Sequence, residues 1–294
     1  MTQECLVQQA WCSTIHWIDR RRGMSTLQMR DGYGINYSYE NAYSPKATVI
    51  ISHGFAEHMG RYDYFSRALI SNGLNVLRYD LRGHGANIDR GYLRNFEDYV
   101  NDLNELKLFA KNTDPNLPIF LIGHSMGGLI TSLYCTSFNE GVRGVVLSGP
   151  SVGRLPSAKG YNRGLMNLMK ILAARASLKN PIGEGICGDP QVFLDYASDE
   201  LVLHKATISF YYEFLFNGTD SLNEKLTSFS SPCLICHGEK DPIVPLELSR
   251  SFYEGVSSKD KSIIVYEGLY HEILNEKKKD QVIEDMVSWI NERI

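Results

Sequence analysis

The 294 residues suffice for one large core or two modest ones, and 43% hydrophobic with 22% charged residues is a globular composition, which excludes a disordered or fibrous chain. The 30 basic and 34 acidic residues leave a formal charge of -4, with no Lys/Arg stripe interleaved with aromatics, so no nucleic-acid partner is expected; Arg20-Arg21-Arg22 reads as a solvated surface cluster. The polar start at Thr2-Gln3-Glu4 lacks a secretory apolar stretch and no run of about 18 apolar residues occurs, so the expected location is cytosolic, with a peripheral membrane location left open.

In chain order, Asp31-Gly32 within residues 27–37 signals a hairpin, predicting an antiparallel pair ahead of the main sheet. From Ala47 short apolar runs alternate with longer amphipathic ones, the pattern of a parallel sheet flanked by helices. Core strands are predicted at 48–52, 75–79, 119–122, 144–147, 233–236 and 262–266, each a near-continuous apolar run between turn residues.

From about 150 to 230 the alternation stops, and the segment reads mainly as helices and loops. Leu165, Met166, Leu168, Met169, Ile171 and Leu172 form an apolar helix face, and Ile208, Phe210, Tyr211, Phe214 and Phe216 an aromatic cluster. An inserted helical lid over residues 151–230, between core portions 1–150 and 231–294, is the expected organisation. In the last helix Val282, Ile283, Met286, Val287 and Ile290 should face the sheet.

The cysteines Cys5, Cys12, Cys135, Cys187, Cys233 and Cys236 are scattered, without the spacing of a disulfide framework. Cys233 and Cys236 form a C-x-x-C pair inside an apolar strand, where residues three apart face opposite sides, so packing rather than redox or metal chemistry is expected.

The chemistry centres on Gly123-His124-Ser125-Met126-Gly127, a G-x-S-x-G pattern directly after an apolar strand and before a helical run. Such an elbow strains the serine backbone and needs small residues two before and two after it, which Gly123 and Gly127 supply. The hydroxyl needs a base and an orienting carboxylate downstream in the order Ser, acid, His. Of the three histidines after Ser125, His204 lies in the insertion, His237 ends a strand, and His271 lies in the loop between the last strand and the final helix. His271 is the candidate base. Asp241, kept out of a helix by Pro242, is the candidate acid at the carboxyl edge of the sheet. The N–H of Met126 and that of Phe55, in the turn His53-Gly54-Phe55 after the first parallel strand, are the candidate oxyanion donors.

Five motifs now stand in order: His53-Gly-Phe-Ala-Glu-His-Met-Gly-Arg-Tyr62, Asp80-Leu-Arg-Gly-His-Gly85, Gly123-His-Ser-Met-Gly-Gly128, His237-Gly-Glu-Lys-Asp241 and Tyr266-Glu-Gly-Leu-Tyr-His-Glu272. Together, from Ala47 to the C-terminus, they resemble the monoacylglycerol lipase and lysophospholipase family of α/β-hydrolases. Asp199-Glu200-Leu201-Val202 is similar to that family's Asp-Pro-Leu-Val lid motif, with Glu200 in place of proline. The resemblance implies an α/β fold of the α/β-hydrolase type with a lid forming an acyl-chain tunnel. It also implies that Glu57, Arg61 and His124 receive the alcohol part of the ester, and that Phe55 is bulkier than the residue common at its position.

The expected activity is cleavage of a lipid carboxylic ester, monoacylglycerol or lysophospholipid, through an acyl-enzyme on Ser125, with a small lipid ester as partner and transient membrane contact through the lid. No metal and no organic cofactor are required. A broad carboxylesterase or thioesterase shares the same triad and is the alternative. Dehalogenase and epoxide-hydrolase chemistry would need a carboxylate at the elbow, a non-catalytic receptor would usually lack a triad member, and no G-x-G-x-x-G follows the first parallel strand to bind a dinucleotide.

Overall fold

The computed structural model describes residues 17–19, 24–138, 140–183 and 185–294; Cys5, Cys12 and Arg20-Arg21-Arg22 lie outside the described residues. The chain runs β1 (Trp17–Asp19), β2 (Met24–Gln28), β3 (Gly34–Glu40), β4 (Ala47–Ser52), α1 (Asp63–Ser71), β5 (Leu74–Tyr79), α2 (Glu97–Thr113), β6 (Ile119–His124), α3 (Met126–Ser137) and β7 (Gly144–Ser148). It continues through α4 (Arg163–Ala173), β8 (Ser177–Lys179), α5 (Pro190–Ser198), β9 (Lys205–Thr207), α6 (Ile208–Tyr212) and α7 (Thr219–Lys225) to β10 (Cys233–Gly238), α8 (Leu246–Gly255), β11 (Lys261–Tyr266) and α9 (Lys279–Asn291).

Nine of these strands form one sheet in the order β1-β2-β3-β5-β4-β6-β7-β10-β11. The pairs from β1 to β5 are antiparallel, with the expected hairpin turning at Gly32 (φ 84°), and all pairs from β5 to β11 are parallel. All six predicted core strands are present, each one or two residues longer at one or both ends. Side chains alternate across the sheet: Val49 and Ile51 join the apolar layer with α1 and α9, while Ile50 joins the layer with α2 and α3. Full burial of each such aliphatic side chain contributes about 1.5–3 kcal/mol.

The last helix buries Val282, Ile283, Met286, Val287 and Ile290 as expected. Cys233 and Cys236 are free thiols on opposite faces of the sheet, one in each apolar layer, and Cys135 and Cys187 are likewise free and buried. Among the described residues no helix is long and apolar enough to cross a membrane.

Two features of the insertion between β7 and β10 bear on its sequence reading. It contains a two-stranded antiparallel pair, β8 with β9, of three residues each, too short for a period-2 pattern to stand out. The apolar face of α4 is also mostly uncovered: Met166 is buried, but Leu165, Leu168, Ile171 and Leu172 are 57%, 50%, 73% and 76% exposed. The aromatic cluster of Ile208, Phe210, Tyr211, Phe214 and Phe216 is buried, and its backbone passes through a π-helical turn at Glu213–Gly218.

Candidate active site

Ser125 sits between β6 and α3 with φ 52° and ψ -116°, a backbone region that side-chain-bearing residues rarely adopt. The close packing that forces this turn also dictates its glycines. A Cβ on Gly123 would collide with the Gly127 carbonyl, and one on Gly127 with the carbonyls of Ser52 and His53. The Ser125 N–H donates to Ser148 O (2.9 Å), fixing the elbow against β7. The Ser125 hydroxyl pairs with Ser151 Oγ at 3.4 Å. Hydrogen bonds between nucleophile and base are often absent or long in unliganded enzymes and tighten with substrate.

Asp241 and His271 lie where β10 and β11 end, on the same carboxyl edge of the sheet as Ser125. His271 Nδ1 is 2.6 Å from Asp241 Oδ2, and His271 shares a cavity wall with Ser125. Burial opposes charge on the His271 ring, but the Asp241 carboxylate outweighs it through its charge and hydrogen bond, so the imidazole pKa is raised. Burial likewise disfavours the Asp241 carboxylate. It is outweighed by the charge of His271, hydrogen bonds from His237 and His271, and the Val244 N–H, which hold the carboxyl well below the usual range.

The N–H groups of Phe55 and Met126 donate to no acceptor among the described residues. Gly54 brings the first of them against the elbow, since a Cβ there would stand 3.1 Å from Ser125 Cβ. The Phe55 ring turns away into the insertion's aromatic cluster, stacked on Phe210 with centroids 5.0 Å apart. Its bulk is accommodated there.

Glu57, Arg61 and His124 do come together, but their polar atoms are largely engaged with the protein. Glu57 Oε1 accepts the Gly54 N–H (2.5 Å) and the Tyr62 hydroxyl (2.7 Å). Arg61 donates to Glu57 Oε2 (3.2 Å) and to Glu272 Oε2 (2.5 Å). Burial raises the cost of charge on Glu57, but the charge His124 carries when protonated, together with Arg61, outweighs it and lowers the Glu57 pKa; His124, whose own pKa burial and His271 push down to about 4, is neutral at pH 7, which leaves Arg61 as the partner there. At Glu272, burial and the Glu57 charge outweigh Arg61 and raise the pKa. His124 Nδ1 donates to Ser148 O (3.0 Å), so Nδ1 carries the proton, and its ring lies 4.7 Å from that of His271.

Two compartments meet at Ser125. One is an apolar cavity of about 510 Å³ whose walls include Phe55, Leu155, Ile182, Tyr211, Phe214 and Leu215. The other is a small space of mixed lining, bounded by Glu57, His124, His271 and Glu272 on one hand and Ile182, Ile186 and Ile243 on the other, with room for about a single water.

Several residues of the site were not singled out from sequence. His237 Nε2 donates to Val244 O (2.9 Å) and lies 3.3 Å from Asp241 Oδ2, bracing the acid from behind. Gly149 (φ 49°) leaves space beside the pair, since its Cβ would stand 3.2 Å from His271 Nδ1. Glu276 accepts the N–H groups of Tyr270 (3.0 Å) and Gly188 (2.8 Å), anchoring the His271 loop. The segment Ser148-Gly149-Pro150 after β7 carried a turn signal, but only the strand order makes it the elbow's neighbour.

A family model described as serine aminopeptidase, S33, matches residues 43–278. The chain is 33% identical over 247 residues to a monoacylglycerol lipase of Mycolicibacterium smegmatis, covering 84% of this chain and 88% of that protein. It is 29% identical over 255 residues to the monoglyceride lipase of Homo sapiens, covering 85% and 84% respectively. A crystal structure of Paleococcus ferrophilus monoacylglycerol lipase matches with a TM-score of 0.80 at 25% identity, covering 88% of this chain and 99% of that one. A thermostable carboxyl esterase from Bacillus coagulans matches with a TM-score of 0.81 at 22% identity over 92% of this chain and 98% of that one, a likeness of fold alone. Matches of this extent make the chain a member of the serine aminopeptidase S33 family, with the α/β-hydrolase fold, and bear out the kinship to monoacylglycerol lipases read from its five motifs.

Proposed function

We propose that the protein is a serine esterase that cleaves monoacylglycerols, or lysophospholipids, into a fatty acid and the remaining alcohol. The observation that carries this reading is the apolar cavity of about 510 Å³ that opens at the strained Ser125, suited to a long acyl chain, with Glu57, His124 and Glu272 in the small space adjoining the same serine. The names of the relatives point the same way.

In this reading Ser125 Oγ attacks the ester carbonyl while His271 takes its proton, and Asp241 holds the imidazole and steadies its positive charge. The carbonyl oxygen becomes an oxyanion, bound by the N–H groups of Phe55 and Met126. His271 returns the proton to the leaving alcohol, and water then attacks the acyl-enzyme by the same route. No metal or organic cofactor enters any step.

Residues 151–230 act as a lid that shapes the acyl cavity, to which Leu155, Tyr161, Tyr211, Phe214 and Leu215 contribute. The uncovered apolar face of α4, with Lys159 and Arg163 beside it, would rest on a lipid surface during substrate uptake. The adjoining space holds no more than a water, so a glycerol moiety enters by displacing part of its wall at Tyr196, against which Arg61 packs.

The test is kcat/KM for monoacylglycerol, lysophosphatidylcholine, triacylglycerol and acyl-CoA of matched chain length, with Ser125→Ala as the blank. The proposal expects monoacylglycerol or lysophospholipid to be cleaved best, with activity rising from short to medium chains by up to about 0.8 kcal/mol per buried methylene. A flat chain-length profile, or preference for acyl-CoA, would instead identify a broad carboxylesterase or thioesterase.

A further inference from the structure

We infer that His53 is a positioning residue that aims the oxyanion-binding N–H of Phe55 through the Gly54–Phe55 peptide, an inference that rests on reading Ser125 as nucleophile and that N–H as its oxyanion donor. His53 follows β4, is 1% exposed, and takes no part in the Ser125, Asp241 and His271 set. Its tautomer is set by its partners. The Leu81 N–H donates to Nε2 at 2.9 Å, so Nε2 carries the lone pair and the proton resides on Nδ1. Nδ1 lies 2.8 Å from the Gly54 carbonyl oxygen, which can only accept. Burial disfavours the charged ring and lowers its pKa, which preserves this single neutral form.

The geometric consequence follows from the planar trans peptide. The Gly54 C=O and the Phe55 N–H belong to the same peptide plane and point from opposite edges of it, and no cis peptide occurs among the described residues. Fixing the oxygen therefore fixes the N–H. The Phe55 N–H edge is free, with no acceptor among the described residues, and the loop that carries it lies against the elbow, where a Cβ on Gly54 would stand 3.1 Å from Ser125 Cβ.

The preceding peptide is held separately, its Gly54 N–H donating to Glu57 Oε1 at 2.5 Å. Ala56 then adopts φ 68°, a left-handed conformation that alanine does not favour. A loop with this strain would relax unless both peptides were anchored, and an oxyanion donor that must reorganise during the reaction loses most of its value. Leu81 lies just past the end of β5, the strand beside β4, so His53 ties the donor loop to the rigid sheet edge.

The two hydrogen bonds can be separated. His53→Asn presents an amide N–H where Nδ1 stands and gives up the Leu81 bond; His53→Gln reaches the Leu81 N–H and gives up the Gly54 bond. The measurements are kcat and KM on a soluble short-chain ester, the acid limb of the pH profile, Tm, and inhibition by an alkyl trifluoromethyl ketone. Ser125 Oγ adds to that ketone's carbonyl carbon, the serine proton passes to His271, and the carbonyl π pair becomes the oxyanion.

His53→Gln should lower kcat and weaken the ketone in parallel by about tenfold to a hundredfold, with KM and the acid limb unmoved, while His53→Asn stays within about threefold of the parent. Equal losses in both variants that track Tm, or a fall in kcat with ketone affinity intact, would overturn the inference. Should the parent protein bind the ketone no better than Ser125→Ala does, the nucleophile reading itself fails.

Discussion

Asp241 divides its two oxygens between backbone and imidazole: Oδ1 accepts the N–H groups of Ile243 (2.8 Å) and Val244 (2.9 Å), leaving Oδ2 to meet His271 Nδ1 at 2.6 Å. The turn thus orients the carboxylate before any substrate arrives. Asp241→Asn keeps the shape but offers the ring the wrong hydrogen-bond partner, and kcat should fall by up to about four powers of ten. His271 must be neutral to act as base, and Asp241 raises its pKa above the ordinary 6.5, so activity should decline as pH falls through a value above 6.5. In Asp241→Asn, the residual activity should hold to lower pH. An unshifted acid limb would mean that another group governs it.

Gly149 is the second point of control on the same imidazole. Its φ of 49°, and the 3.2 Å at which a Cβ would stand from His271 Nδ1, leave no comfortable place for a side chain. Gly149→Ala should cost about 1–2 kcal/mol of stability from the left-handed backbone. By pushing the imidazole aside it should also lower kcat roughly tenfold with little change in KM. Thermal unfolding and steady-state kinetics on one preparation check both, and an unaltered kcat would show that the imidazole tolerates the methyl.

Much of this site was legible because its parts obey local grammar. Ser125 is announced by Gly123 and Gly127, Asp241 by the turn before Pro242, and His271 by its loop between a strand and a helix. Gly149 and Ser151 carry no comparable signal, since their roles arise from β7 lying between β6 and β10, an order the linear sequence does not state; His237 stands in a motif, but its bracing of Asp241 shows only in the folded turn. The helical period of α4 correctly indicated one apolar face, but periodicity cannot say whether protein covers that face. The polar residues Glu57 and Arg61 were expected to face substrate, and the structure finds them bonded to the Gly54 N–H and to Glu272 as well.

That buried cluster predicts a pH-dependent stability defect. Arg61 is the guanidinium between Glu57 and Glu272, and all three side chains are at most 10% exposed. Arg61→Ala would leave two buried carboxylates without their cation, at a cost of about 3–5 kcal/mol. Unpaired burial raises the carboxyl pKa values in the folded state above their unfolded values, so the defect should be largest at neutral pH and shrink as pH falls toward the ordinary Glu value of 4.5. Denaturant unfolding across pH measures it, and a defect independent of pH would argue that lost packing against Tyr196 is the cause.

The apolar face of α4 offers the sharpest separation of folding from function. Burial of Leu165, Leu168, Ile171 and Leu172 would ordinarily stabilise a helix, yet each is at least half exposed, so the fold gains little from them. Leu168→Asp and Ile171→Asp should therefore change unfolding free energy by no more than about 0.5 kcal/mol. If the face rests on lipid, each charge introduced there opposes docking, because a carboxylate must then enter or approach an apolar layer. Hydrolysis of long-chain monoacylglycerol presented in phosphatidylcholine vesicles should drop severalfold, while hydrolysis of a soluble short-chain ester stays at the parental rate. Vesicle co-sedimentation should fall with it. Equal loss on both substrates would instead assign these residues to the shape of the acyl cavity, and no loss on either would remove the lipid-contact role from α4.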